Sequence, residues 1–136
     1  MKLYVLDANA VMRYLQKGSG FERVRALIEL VPKSQVRLLI SVINRGEVLY
    51  GLGRYAGAQR ASEALKTLAG VIELVDVRQE DADAAAILKL RYKLGFADCF
   101  AAELALRVGA ILVTADPGFS KLGKQIKILA LPRHSS

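Results

Sequence analysis

The stretch "YVLDANA" (residues 4–10) decides the fold, because an apolar run stops there on a carboxylate and passes at once into small residues. A short continuous apolar run bounded by a helix-start signal reads as a strand buried on both faces, followed by a helix. Near the other end of the chain, "ILVTADP" (111–117) does the same. Working outward, candidate strands are "KLYVL" (2–6), "VRLLIS" (36–41), "VIELV" (71–75), "AILVT" (110–114) and "IKILAL" (126–131). Stretches of helical period alternate with them. In "GFERVRALIELV", Phe21, Val24, Leu27, Ile28 and Val31 fall on one face. "NRGEVLYGLGRYAG" and "AQRASEALKTLAG" predict two helices parted near Gly57. "QEDADAAAILKLRYKLG" opens on acidic residues that suit a helix N-terminus and closes on Gly95. "ADCFAAELALRVG" ends on Gly109. Gly70, Gly95 and Gly109 are read as helix-end glycines.

Alternating strands and helices imply right-handed crossovers, and so a three-layer α/β/α sandwich around a mostly parallel sheet of four to five strands. The chain has 136 residues and neither a linker nor an internal repeat, so a single domain over residues 1–136 is expected. Lys and Arg number 20 against 13 for Asp and Glu, a net charge of +7 that favours a polyanionic partner. The basic residues are spread along the chain (Lys17, Arg23, Arg54, Arg91, Lys124) and form no tail.

Cys99 is the only cysteine, which excludes internal disulfides and multi-cysteine zinc sites, and His134, the only histidine, sits in the polar stretch "PRHSS", which argues against histidine-based zinc sites, Ser-His-Asp triads and a Cys-His pair. No apolar stretch is long enough for a membrane span and no signal peptide is read, so the expected location is cytoplasmic.

In open parallel sheets, ligands bind outside the carboxyl ends of the strands. Asp7 and Asp116 each follow a strand directly and so fall on that edge. If their strands are neighbours, the tips lie only about 4.8 Å apart, and two such carboxylates either shift a pKa or require a cation. Each also has a plainer reading. Asp7 can be a helix N-cap, and Asp116 before Pro117-Gly118 can start a turn. Glu47 follows the second strand within two helical turns, and surface exposure alone would explain it. Asp98 stands at the start of the apolar helix "ADCFAAELAL", where a carboxylate needs more explanation than on a charged face. No two of these residues have a local metal-binding spacing; only the fold could gather them.

The segments "YVLDANAVMRYL", "ISVINRGEVLYGL", "KLGFADCFAAELAL" and "ILVTADPGF" occur in an order and at separations that span nearly the whole chain. In this the chain resembles the PIN-domain ribonucleases, and most closely the VapC-type toxins of toxin–antitoxin pairs. The resemblance implies that Asp7, Glu47, Asp98 and Asp116 form an acidic quartet holding a divalent metal, Mg²⁺ or Mn²⁺. It implies that Asn9 and Thr114 support the site by hydrogen bonding. A β-branched strand residue explains Thr114 equally, and a helix start explains Asn9. Many relatives carry a further acidic residue two places after the last aspartate, where this chain has Gly118. Glu103 is left out, since five residues beyond Asp98 it points elsewhere.

An all-carboxylate set suits hard cations that prefer oxygen ligands. The implied activity is metal-dependent endonucleolytic cleavage of single-stranded or structured RNA, leaving 5′-phosphate and 3′-hydroxyl ends. The implied partners are a cognate antitoxin and a second copy of the chain. Val48, Leu49, Leu52, Tyr55, Leu65 and Leu68 in segment 43–69 are candidates for partner surface, with core packing as the competing reading.

A receiver domain would need paired acidic residues after the first strand and Asp76 as phosphoacceptor, which leaves Glu47 and Asp98 without a role. A haloacid-dehalogenase-like phosphatase would need an aspartate where Asn9 stands. No glycine-rich loop follows the first strand to hold a nucleotide. The alternative of another class is a catalytically silent PIN-like module that binds RNA or protein.

Overall fold

The computed structural model describes residues 1–133; His134 lies outside them. Five parallel strands form one sheet in the order β3-β2-β1-β4-β5. They are β1 (Lys2–Leu6), β2 (Val36–Ser41), β3 (Ile72–Val75), β4 (Ile111–Thr114) and β5 (Lys127–Ala130). Six α-helices connect them: α1 (Ala8–Leu15), α2 (Phe21–Leu30), α3 (Val42–Ala56), α4 (Ala58–Lys66), α5 (Gln79–Tyr92) and α6 (Phe96–Val108). A 3₁₀ segment, Pro117–Gln125, joins β4 to β5. The expected α/β/α architecture is therefore the observed one, with five strands and every pairing parallel.

Side-chain alternation along the central strands builds two cores. Leu6, Leu38, Ile40 and Val113 pack with residues of α1 to α4 on one face. Val5, Leu39 and Leu112 pack with α5, α6 and the 3₁₀ segment on the other. Residues 99 to 105 of α6 are all buried, and alanines at 101, 102 and 105 let the helix settle closely on β1, β2 and β4. The edge strands depart from the reading of apolar strands buried throughout. Glu73 and Leu74 on β3 are exposed, as are Lys127 and Ile128 on β5, because an edge strand packs less fully against the layers. Most of the apolar residues of segment 43–69 are core as well: Val48, Leu52, Leu65 and Leu68 are buried, and Tyr55 alone of that set is well exposed.

Gly57 separates α3 from α4 with φ 86°, and Gly109 caps α6 with φ 68°, as read from the sequence. Helix α5 does not close on Gly95. Lys93 takes the left-handed position (φ 57°), while Gly95 is extended at φ −58°, ψ 145° and begins α6. The reason lies in the site. A Cβ on Gly95 would stand 3.0 Å from an Asp98 carboxylate oxygen, so the missing side chain makes room for that group.

On the α5–α6 side, Arg107 joins two buried carboxylates, with its Nε 2.8 Å from Glu103 and 3.3 Å from Asp81. Asp81 also accepts the backbone N–H of Arg78 at 3.0 Å, closing the first turn of α5. That hydrogen bond is the main reason its pKa is held below the usual carboxylate range. Glu103 thus has a structural partner away from the quartet.

Candidate metal centre

In sequence order the strands run outward from β1 on one side and then begin again at β4 on the other. The crevice between β1 and β4 is the switch point at which open α/β sheets bind ligands. Asp7 leaves β1 there, and Asp116 lies just beyond β4. Strand β2 leads into α3, which carries Glu47, and the N-terminus of α6 carries Asp98. All four carboxylates line one cleft of about 550 Å³. Asp7 is buried, Asp98 is half-buried, and Glu47 and Asp116 are exposed.

Both plain readings of the strand-end aspartates hold alongside the cluster. One Asp7 oxygen accepts the Ala10 N–H at 2.8 Å as the cap of α1. Its other oxygen accepts the Thr114 hydroxyl. Thr114 in turn accepts the Asp116 N–H at 2.9 Å, so a single hydroxyl links the two strand ends. Asp116 accepts the Gly118 N–H at 2.8 Å, and a Cβ on Gly118 would come within 3.1 Å of the same oxygen. A side chain at position 118 would press on that carboxylate. Asn9 is exposed on the cleft wall.

Electrostatically the cluster is uncompensated. Among the described residues, none of the four carboxylates forms an ion pair. Burial, followed by repulsion from Asp116 and Glu47, pushes Asp7 up to about 6, against the Thr114 and Ala10 hydrogen bonds that lower it. Burial and then the charges of Asp116, Asp7 and Glu47 push Asp98 up to about 7.

A cation is the other way to relieve such repulsion, and the donor set, all oxygen, fits a hard divalent ion. Among the described residues, no three of these side chains converge into a ready-made cage. An ion such as Mg²⁺, which keeps several waters and takes only one or two carboxylates directly, does not require one.

Asn44 escaped sequence reading. It is fully buried in the first turn of α3, and its amide donates to Glu47 at 2.9 Å and to the Ala97 carbonyl at 3.0 Å. One side chain therefore orients Glu47 and ties α3 to the turn that carries Asp98. Its own Oδ1 is buried without a hydrogen-bond partner, a cost usually kept for a reason. An Asn three residues before a Glu on a helix was the available signal, but its meaning depends on a contact 53 residues away. The cleft wall also carries Arg13, Tyr50, Arg54 and Arg133, which sequence reading did not single out. Arg13 donates to the carbonyls of Ser19, Pro132 and Arg133 and holds the end of the described chain beside the cleft.

A family model described as a PIN domain matches residues 4–125. No curated protein matched the sequence. Among solved structures, the chain is similar to DNA-bound VapBC from Salmonella typhimurium, with TM-score 0.75 and 21% identity over 96% of this chain and 98% of that one. It is similar to VapBC2 of Rickettsia felis bound to a promoter DNA fragment, with TM-score 0.73 and 18% identity over 95% and 98%. It is also similar to Mycobacterium tuberculosis VapC20, described as a Sarcin-Ricin loop cleaving toxin, with TM-score 0.71 and 18% identity over 88% and 95%.

Proposed function

Because this chain belongs to the PIN-domain family, we propose that it is a divalent-metal-dependent endoribonuclease acting as the toxin of a toxin–antitoxin pair. The observation that carries this reading is the cleft itself: four carboxylates from four separate elements, none of them ion-paired among the described residues, at the switch point of the sheet. Asp7, Glu47, Asp98 and Asp116 would hold Mg²⁺ or Mn²⁺. When bound, the metal supplies a water acidic enough to attack at neutral pH and offsets charge on the phosphodiester.

The chain's own residues do the remaining work. Ala10 N–H and the Thr114 hydroxyl fix both oxygens of Asp7. Asn44 orients Glu47, and the Gly118 N–H orients Asp116. Arg13, Arg54 and Arg133 on the same wall place positive charge where an RNA backbone would enter. An antitoxin partner and a homodimer are part of the proposal through the likeness to VapBC complexes. Among the described residues, no helix is long and apolar enough to cross a membrane.

The test is to incubate the purified chain with single-stranded and structured RNAs in EDTA, Mg²⁺ or Mn²⁺. Cleavage that needs the metal and leaves 5′-phosphate ends is expected. RNA binding without cleavage under either metal would favour the silent module instead.

Groups that orient metal ligands typically contribute about 10–100-fold in affinity or activity. Asn44→Ala is therefore expected to weaken Mn²⁺ binding, measured calorimetrically, by about that factor. Equal Mn²⁺ affinity in variant and wild type would remove Asn44 from the site.

A further inference from the structure

Tyr50 is 69% and Tyr55 77% exposed on α3, and the Arg54 guanidinium lies 5.1 Å from the Tyr50 ring centre and 6.0 Å from that of Tyr55. Large aromatic rings left in water need a reason, and a helix face one turn beyond Glu47 gives them a particular address. Tyr50 and Arg54 line the same cleft as the carboxylates, so the aromatic surface is continuous with the acidic site. No carboxylate pairs with Arg54 among the described residues; its guanidinium is held over the rings and keeps its donors for an anion.

We propose that Tyr50, Arg54 and Tyr55 form a subsite that stacks an unpaired base and holds its phosphate, in an RNA strand whose neighbouring phosphodiester lies over the carboxylates. The chemistry favours nucleic acid over an apolar partner. Each ring offers a π-face to a base, and the cation between them is complementary to a phosphate. Apart from Met12, the other groups lining the cleft beside Tyr50 and Arg54 are polar, charged or small, and Leu49 is the aliphatic residue that joins the two on the adjoining groove. Stacking on such rings requires a base free of its partner, so the subsite selects single-stranded or looped RNA. It tolerates any base, because all have a π-face. The identity of the ligand rests on the nuclease reading above, while the subsite is tested by binding rather than by cleavage.

The measurement uses full-length protein carrying Asp98→Asn, and fluorescence anisotropy with a short unstructured oligoribonucleotide, free or annealed to its complement. Tyr50→Ala added to that background is expected to weaken single-strand binding about 5- to 150-fold, the range of one base stack, and to leave duplex binding unchanged. Tyr50→Phe keeps the ring and is expected to bind as the parent does. Arg54→Ala is expected to lower the slope of log affinity against log salt by about 1. Unchanged single-strand affinity in Tyr50→Ala overturns the subsite. So does a loss of affinity that accompanies conversion of a dimer to a monomer by light scattering, which would assign this face to a second copy. Cleavage by wild type with unchanged kcat/KM in Tyr50→Ala removes the subsite and leaves the nuclease reading standing. Tyr50-dependent binding without cleavage under any metal keeps the subsite and removes the nuclease reading.

Discussion

Replacing Asp98 with asparagine is expected to cut RNA cleavage on the order of a thousandfold and, at the same time, to raise the melting temperature. Metal-assisted charge stabilisation is worth several kcal/mol in the transition state, and each ~1.4 kcal/mol is a factor of ten in rate. The stability change runs the other way because the folded chain holds Asp98 among three other carboxylates. Its folded pKa of about 7 stands above the ordinary value of 3.8. Between those limits the folded state binds more protons than the unfolded state, so wild-type stability falls as pH rises. Asparagine does not titrate. The gain should thus be near zero at pH 4 and complete by pH 8, amounting to about 1–2 kcal/mol once the half-exposure of the group is allowed for. Differential scanning calorimetry at the two pH values checks it. Mg²⁺ or Mn²⁺ should raise the melting temperature of wild type and leave that of the variant unmoved. A variant that cuts RNA at the wild-type rate would falsify the assignment of Asp98.

Arg107→Ala should have the largest effect on stability away from the cleft. It leaves Glu103, 6% exposed, without its cation, and leaves Asp81, 3% exposed, with Arg78 alone as its charged partner, at 3.4 Å. Removing one partner of a buried ion pair costs about 3–5 kcal/mol; with Arg107 itself 29% exposed, about 2–3 kcal/mol is expected here. The pH dependence separates this from lost packing. The Asp81 pKa is lowered in the fold, chiefly by the Arg78 N–H and in smaller part by the Arg107 charge, so the Arg107 share of its stability is present above the unfolded value and lost as pH falls through the folded one. Urea midpoints of variant and wild type should therefore differ most at neutral pH and draw together in acid, where Asp81 is protonated and needs no partner. A difference that stays constant down to low pH would show that packing of the arginine stem, not charge, carries the effect.

How far the sequence could be read depended on whether a feature is local. The bounds of β1 and β2 were legible to the residue, because an apolar run ending on Asp7 or Ser41 has no competing local structure. The break at Gly57 was legible for the same reason. The end of α5 was not, since Gly95 serves Asp98 rather than the helix it follows, and that service appears only when α6 turns back over the site. The acidic quartet was legible as a set only through family likeness, because the groups come from four elements and no spacing links them. The partners that orient them were less so. Thr114 was legible as a supporting residue only through family likeness, Asn44 was not singled out, and Tyr55 was grouped with apolar neighbours most of which proved to be core. Each of those meanings is set by a contact with a distant part of the chain.

The hydroxyl of Thr114 reaches Asp7 across 107 residues, and the sheet closes in the same place when β4 docks beside β1. A chain leaving the ribosome can pair β1, β2 and β3 early, yet it then holds only Asp7 and Glu47, half a site with no wall opposite. Long-range parallel pairing is slow and comes late in folding. On the ribonuclease reading proposed above, this order of assembly would keep the growing polypeptide inert toward its own message until β4 had emerged and docked beside β1.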